Sequence, residues 1–188
     1  LRLQTREEIR RIQRTTGITT VFVTHDQEEA MSISDLIIVM KNGVVNQIGR
    51  PQEVYDDPVN LFVAKFLGTP PINVFDGEII SGKLHIGGEA VLETPGVKDM
   101  PIYAAVRPEG FLPDDAGPLK CSLSRVEVMG RDISVVSTHP AFEGEVIRSI
   151  ISAENAADIS KPEVRFSLKP AKTHLFNRDD EKRIYFSI

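Results

Sequence analysis

The sequence predicts an α+β chain in two parts, a first part of alternating helices and strands and a second built from strands alone. Three observations carry this. Up to about residue 68, runs with helical period alternate with β-branched apolar runs. Thr69-Pro70-Pro71 then interrupts the pattern just after a glycine stop. Beyond it the helical period is lost, and short β-rich runs recur between turn residues.

In the first part, residues 3–14 read as a helix, with Ile9 and Ile12 at i, i+3 among strong helix formers and Gly17 as its stop. Residues 19–24, Thr-Thr-Val-Phe-Val-Thr, read as a buried strand. His25 follows at once. Asp26, with Glu29 three residues on, resembles a capping box and starts a short helix that Asp35 ends. Residues 36–40 form a second buried-type strand, and Asn42-Gly43 turns it into a hairpin with residues 44–48. Pro51 sits where the first turn of a helix tolerates proline. Asp57-Pro58 is expected to start a last helix carrying Leu61, Phe62, Phe66 and Leu67, closed by Gly68.

In the second part, strands are expected at residues 74–80, 84–86, 90–92, 102–106, 122–129, 133–138, 145–152, 164–168 and 184–188. Gly82, Gly87-Gly88, Gly130, Pro140 and Pro170 are among the residues that punctuate them. So many short, evenly spaced strands suggest a small barrel or sandwich.

Composition excludes several function classes. With 22 Lys and Arg against 27 Asp and Glu, the 188-residue chain carries a net charge of -5, a poor balance for gripping nucleic acid. The single Cys121 rules out a disulfide framework or thiolate cluster. No apolar run approaches the ~20 residues of a spanning helix. No signal-peptide pattern is present, and a chain that begins at Leu1 is expected to be a piece of something longer.

Few constellations could carry chemistry. The sharpest runs from Val21 to Ala30, where a polar cluster begins abruptly between an expected strand and a helix. Ligands sit at such places in open α/β sheets, and a histidine there can donate a hydrogen bond to a phosphate oxygen. His25 can equally satisfy its own turn, with Asp26 as the N-cap. The arginines at 2, 6, 10, 11 and 14 suit a solvated helix face better than a basic patch. His85, His139 and His174 lack ligand spacing, so no metal site is expected. Neither a G-x-S-x-G elbow nor a G-x-x-x-x-G-K-[ST] phosphate loop occurs.

Residues 20–30, with Ser34-Asp35 and Ile38-Val39-Met40-Lys41-Asn42-Gly43, resemble the switch-histidine region of ABC-transporter ATPase subunits. Gln47-Ile48-Gly49-Arg50-Pro51-Gln52-Glu53-Val54-Tyr55-Asp56-Asp57-Pro58 resembles the end of that ATPase domain in importers. Phe66-Leu67-Gly68-Thr69-Pro70-Pro71-Ile72-Asn73 resembles the hinge into the regulatory domain of the carbohydrate-importer, maltose-importer-like branch. Val106-Arg107-Pro108-Glu109-Gly110, Val126-Glu127-Val128-Met129-Gly130, and residues 164–168 with His174-Leu175-Phe176 fit that regulatory domain.

The resemblance implies a truncated C-terminal part of an α/β P-loop ATPase domain, residues 1–68, followed by an all-β OB-like (TOBE) barrel domain, residues 69–188. It implies that His25 contacts the γ-phosphate of ATP in the intact protein, and that the Walker, signature and magnesium-binding segments precede Leu1. ATP and Mg are therefore expected in the parent, and none in this fragment, which is expected to be inactive alone. The expected partners are a second ATPase copy, transmembrane permease subunits and a regulatory protein, with no nucleic acid, at the cytoplasmic face of the membrane. A free-standing OB-like module that binds a small ligand is the alternative. Leu36 departs from the family pattern, as does Arg50, which stands where a small N-cap is common and should weaken that helix start by about 1 kcal/mol. Strands cut from their neighbours are expected to leave residues 1–68 mobile, rearranged or covered by another copy.

Overall fold

A computed structural model describes residues 2–155 and 161–188. It divides into two compact units, Leu1–Val59 and Asn60–Ile188, with mixed helix and strand overall.

The first unit follows the expected element order with one exception. Helix α1 (Arg2–Thr16) and the short α2 (Gln27–Ile33) precede a hairpin of β1 (Ile37–Lys41) and β2 (Val44–Gly49), and α3 (Pro51–Asp56) follows. Asn42 and Gly43 both take positive φ, 50° and 77°, the type I′ geometry that matches strand twist. At Arg50 the missing small cap is met from the other side, because the Glu53 carboxylate accepts the Arg50 N–H at 3.2 Å.

The exception is the expected strand at residues 19–24, which does not form. Val21 and Val23 are 87% and 88% exposed. A run that is apolar on both faces belongs in the middle of a sheet, and the only sheet in this unit, among the described residues, is the two-stranded hairpin. Its β-propensity has no neighbour to act through.

The second unit opens with α4 (Leu61–Phe66). This helix starts three residues beyond Pro58, because the Asn60 side-chain oxygen accepts the Val63 N–H at 2.9 Å and fixes the first turn there. Two antiparallel sheets follow. The six-stranded sheet has the order β13-β12-β6-β3-β4-β5 and the five-stranded sheet the order β10-β9-β8-β11-β7. The strands of the first are β3 (Asn73–Ile80), β4 (Lys83–Ile86), β5 (Glu89–Glu93), β6 (Met100–Val106), β12 (Thr173–Asn177) and β13 (Arg183–Ile184). Those of the second are β7 (Phe111–Pro113), β8 (Leu119–Met129), β9 (Asp132–Thr138), β10 (Ile147–Ser152) and β11 (Glu163–Leu168).

The five-stranded sheet curls until its end strands β10 and β7 lie side by side, giving a nearly closed barrel. A bulge in β8 between Leu123 and Arg125 sharpens the curl. One core serves both sheets, with Phe75, Ile102 and Leu175 from the first meeting Phe111, Leu119, Val135, Ile147 and Phe166 from the second. Rings in it pack edge to face, Phe111 and Phe166 lying 5.3 Å apart between centroids. Buried Asn73 staples the sheets. Its amide donates to Val106 O and Arg148 O at 3.3 and 2.9 Å and accepts Arg148 N–H at 2.9 Å. The fold is therefore a helix-and-strand piece followed by a barrel unit, as expected, except that α4 falls in the second unit, with β7 and β12 as strands the residues did not announce and the expected 184–188 strand reduced to Arg183–Ile184.

Candidate functional site

The candidate site gathers around the start of α2. Asp26 is its N-cap: one carboxylate oxygen accepts the N–H groups of Glu28 and Glu29 at 3.0 and 3.1 Å. The expected reciprocal bond from Glu29 is relayed. Thr24 Oγ1 accepts the Asp26 N–H at 2.9 Å and donates to Glu29 Oε2 at 2.8 Å. His25 sits inside this loop with an exposed side chain, and Thr24, His25, Asp26 and Glu29 line a shallow, open depression.

Helix α1 holds the loop from behind. Arg6 lies 3.6 Å from an Asp26 oxygen and 3.8 Å from a Glu29 oxygen, with its side chain 16% exposed. Arg10 grips Asp35, beyond the far end of α2, through two bonds of 3.1 and 2.5 Å. That bidentate contact holds the Asp35 carboxyl below the usual carboxylate range. Arg11 pairs with Glu8 on its own helix. The expectation of a merely solvated arginine face is thus corrected for Arg6 and Arg10, whose spacing of one turn meets acids at both ends of α2.

This arrangement fixes the residues on either side of His25 and leaves its imidazole exposed in the depression. The first amides of α2 are already taken by Asp26, and Asp26, Glu28 and Glu29 surround His25 with negative charge. A triphosphate with its magnesium needs a cradle of backbone N–H groups and several hard oxygen ligands. The described residues offer His25 and no such cradle, and among them no cluster of three or more His, Cys, Asp or Glu is placed to hold a metal. They do not fit a complete nucleotide site.

The other histidines stay apart. His85 is half-buried on β4, and His174 is buried on β12. His139 follows β9, where its Nδ1 accepts the Ala141 N–H at 3.0 Å and its ring meets Phe75 edge-on. Burial pushes its pKa down. Cys121 is buried in the barrel core, which pushes its thiol up to about 12. One residue escaped the sequence reading except as part of a motif: Arg107, fully buried, whose Nη1 donates to Ala64 O and Leu67 O at 3.1 and 2.6 Å. A lone arginine amid apolar β residues beside a proline was the available signal. Among the described residues no helix is long and apolar enough to cross a membrane.

No family model matches the chain. Curated relatives match nearly all of it. The sn-glycerol-3-phosphate import ATP-binding protein UgpC of Jannaschia sp. is 37% identical over 98% of this chain. The protein of the same name from Paracoccus denitrificans is 34% identical over 98%. The osmoprotective compounds uptake ATP-binding protein GgtA of Synechocystis sp. is 33% identical over 98%. The alignments cover 52%, 52% and 54% of those relatives, so the chain spans about half their length. The resemblance read from the residues is therefore matched along nearly the whole chain: its homologues are ABC-importer ATP-binding subunits, of which it spans about half.

Proposed function

We propose that this chain is the part of an ABC importer's ATP-hydrolysing subunit that carries the switch histidine, His25, and a regulatory β domain through which two copies of the subunit associate. The observation that supports this most is the double restraint on the His25 loop, capped by Asp26 in front and braced by Arg6 behind. Phosphoryl transfer asks a protein mainly for positioning and electrostatic stabilisation, and in the intact subunit an imidazole on this braced loop would contribute to both at one phosphate oxygen. ATP and magnesium belong to the intact subunit, whose other segments provide the phosphate cradle. A carbohydrate is the cargo that the resemblance suggests, and relatives are named for sn-glycerol-3-phosphate and for osmoprotective compounds. Transmembrane permease subunits and a regulatory protein complete the assembly at the cytoplasmic face of the membrane.

The test is ATP turnover by the intact subunit. His25→Ala should lower turnover at least ~100-fold, as loss of a transition-state donor does, with ATP binding retained. Unchanged turnover in that variant removes the switch role. The isolated chain should hydrolyse no ATP, and turnover by it that vanishes in His25→Ala would contradict the division of labour proposed here.

A further inference from the structure

The sequence places the junction of the two parts in the proline-rich stretch after Gly68. The bonds around α4 point elsewhere. Up to Val59 the chain is tied to the first unit. The side-chain amide of Gln47, on β2, donates to Asp57 O at 2.9 Å and accepts the Val59 N–H at 3.0 Å, the two contacts a neighbouring strand would make.

From Asn60 onward the chain is tied into the second unit. Asn60 pairs with Lys182 as an antiparallel bridge, and the Leu61 N–H donates to Glu181 O at 3.0 Å. Along the helix, Leu61 and Ala64 are buried with Val74, Ala105 and Phe176 from β3, β6 and β12. Lys65 reaches Glu143 at 3.2 Å. At the carbonyl end, Arg107 closes the helix through Ala64 O and Leu67 O. A cation there meets carbonyls that the helix itself leaves unbonded, and its charge suits that end. Ile72, beyond the two prolines, is buried in the same cluster as α4, so the largely exposed proline stretch is anchored at both ends in the barrel unit.

We infer that α4 belongs to the barrel unit, so that this unit begins at Asn60 and not after Gly68, and that Arg107 is the clamp that makes α4 a rigid portion of it. The segment that resembles a hinge is then held on both sides. Arg107 is the positioning residue for α4 within that unit. This inference does not depend on what the nucleotide-contacting histidine does.

Hydrogen exchange on the full chain tests it. The Ala64 and Leu67 amides should exchange as slowly as those of β3 and β6. Arg107→Met should speed both about 10- to 100-fold, the effect of losing a charge-assisted bond to each end carbonyl, with β3 and β6 amides unchanged. A two-residue Gly-Ser insertion after Val59 should leave Ala64 and Leu67 protection as in the parent chain, and the same insertion after Gly68 should reduce it. The insertions keep the test decisive should Arg107→Met fail to fold. Fast exchange at Ala64 and Leu67 in the unaltered chain, indifference to Arg107→Met, or equal effects of the two insertions would overturn the inference.

Discussion

Residues 19–24 and β3 look alike as sequence, since both are short runs rich in β-branched and aromatic residues. Their fates differ completely. Val21 and Val23 lie in solvent, whereas Val74, Phe75 and Ile79 of β3 are at most 4% exposed. The difference is their neighbours. β3 pairs with β6 on one side and β4 on the other, and a second sheet covers its inner face. The run at 19–24 has no partner strand among the described residues. An apolar strand is a statement about a sheet, and burial follows only where that sheet is complete. The exposed Ile38, Met40, Val44 and Ile48 of the β1–β2 hairpin repeat the lesson at smaller scale.

The largest expected effect probes the complete side of this contrast. Phe75 is fully buried against Phe111, Phe142 and His139, and Phe75→Ala should cost about 3–5 kcal/mol. Cys121 reports the result, because a buried thiol with its pKa near 12 is inert to alkylation at pH 8 until the barrel opens. Labelling of the variant at urea concentrations where the parent chain stays unlabelled is the expected readout. A moderate effect should appear with acid. His139 has a folded-state pKa below its usual 6.5, because burial disfavours the charged ring. The unfolded chain therefore binds the proton more readily, and stability is retained above pH 6.5 and lost as pH falls through the depressed folded value. A chain with His139→Asn, which keeps an acceptor for the Ala141 N–H, should show a shallower loss of stability between pH 6.5 and 5 in urea titrations. The smallest effect belongs to the incomplete side. Val23→Ser should change the stability of this chain by no more than about 0.5 kcal/mol, since the side chain is already in water.

Much of the molecule was legible in its residues because the signals were local. Asn42-Gly43 dictated its hairpin, and Asp26 its cap, since each acts within three or four residues. The alternation of the barrel strands was readable for the same reason. What stayed hidden depended on distant partners. Leu175 and Phe176 became strand β12 only because β6 offered an edge for them, and β7 is a three-residue strip made by β11. Arg107 gave no hint of capping a helix some forty residues earlier. At the candidate site, the position of His25 was plain from the sequence, but the brace from Arg6 was not, because it needs α1 folded back onto α2, nor was the Thr24 relay, because Thr24 was read as the end of a strand.

Limited proteolysis of the full chain, with cut sites mapped by mass, tests the contrast between the two regions most directly. The first cuts should fall within residues 18–24, while a resistant core containing β3, β6, β8, β9 and β12 persists with Cys121 unlabelled. A resistant product that retains residues 18–24 intact, or early cuts within β3 or β6, would contradict the account.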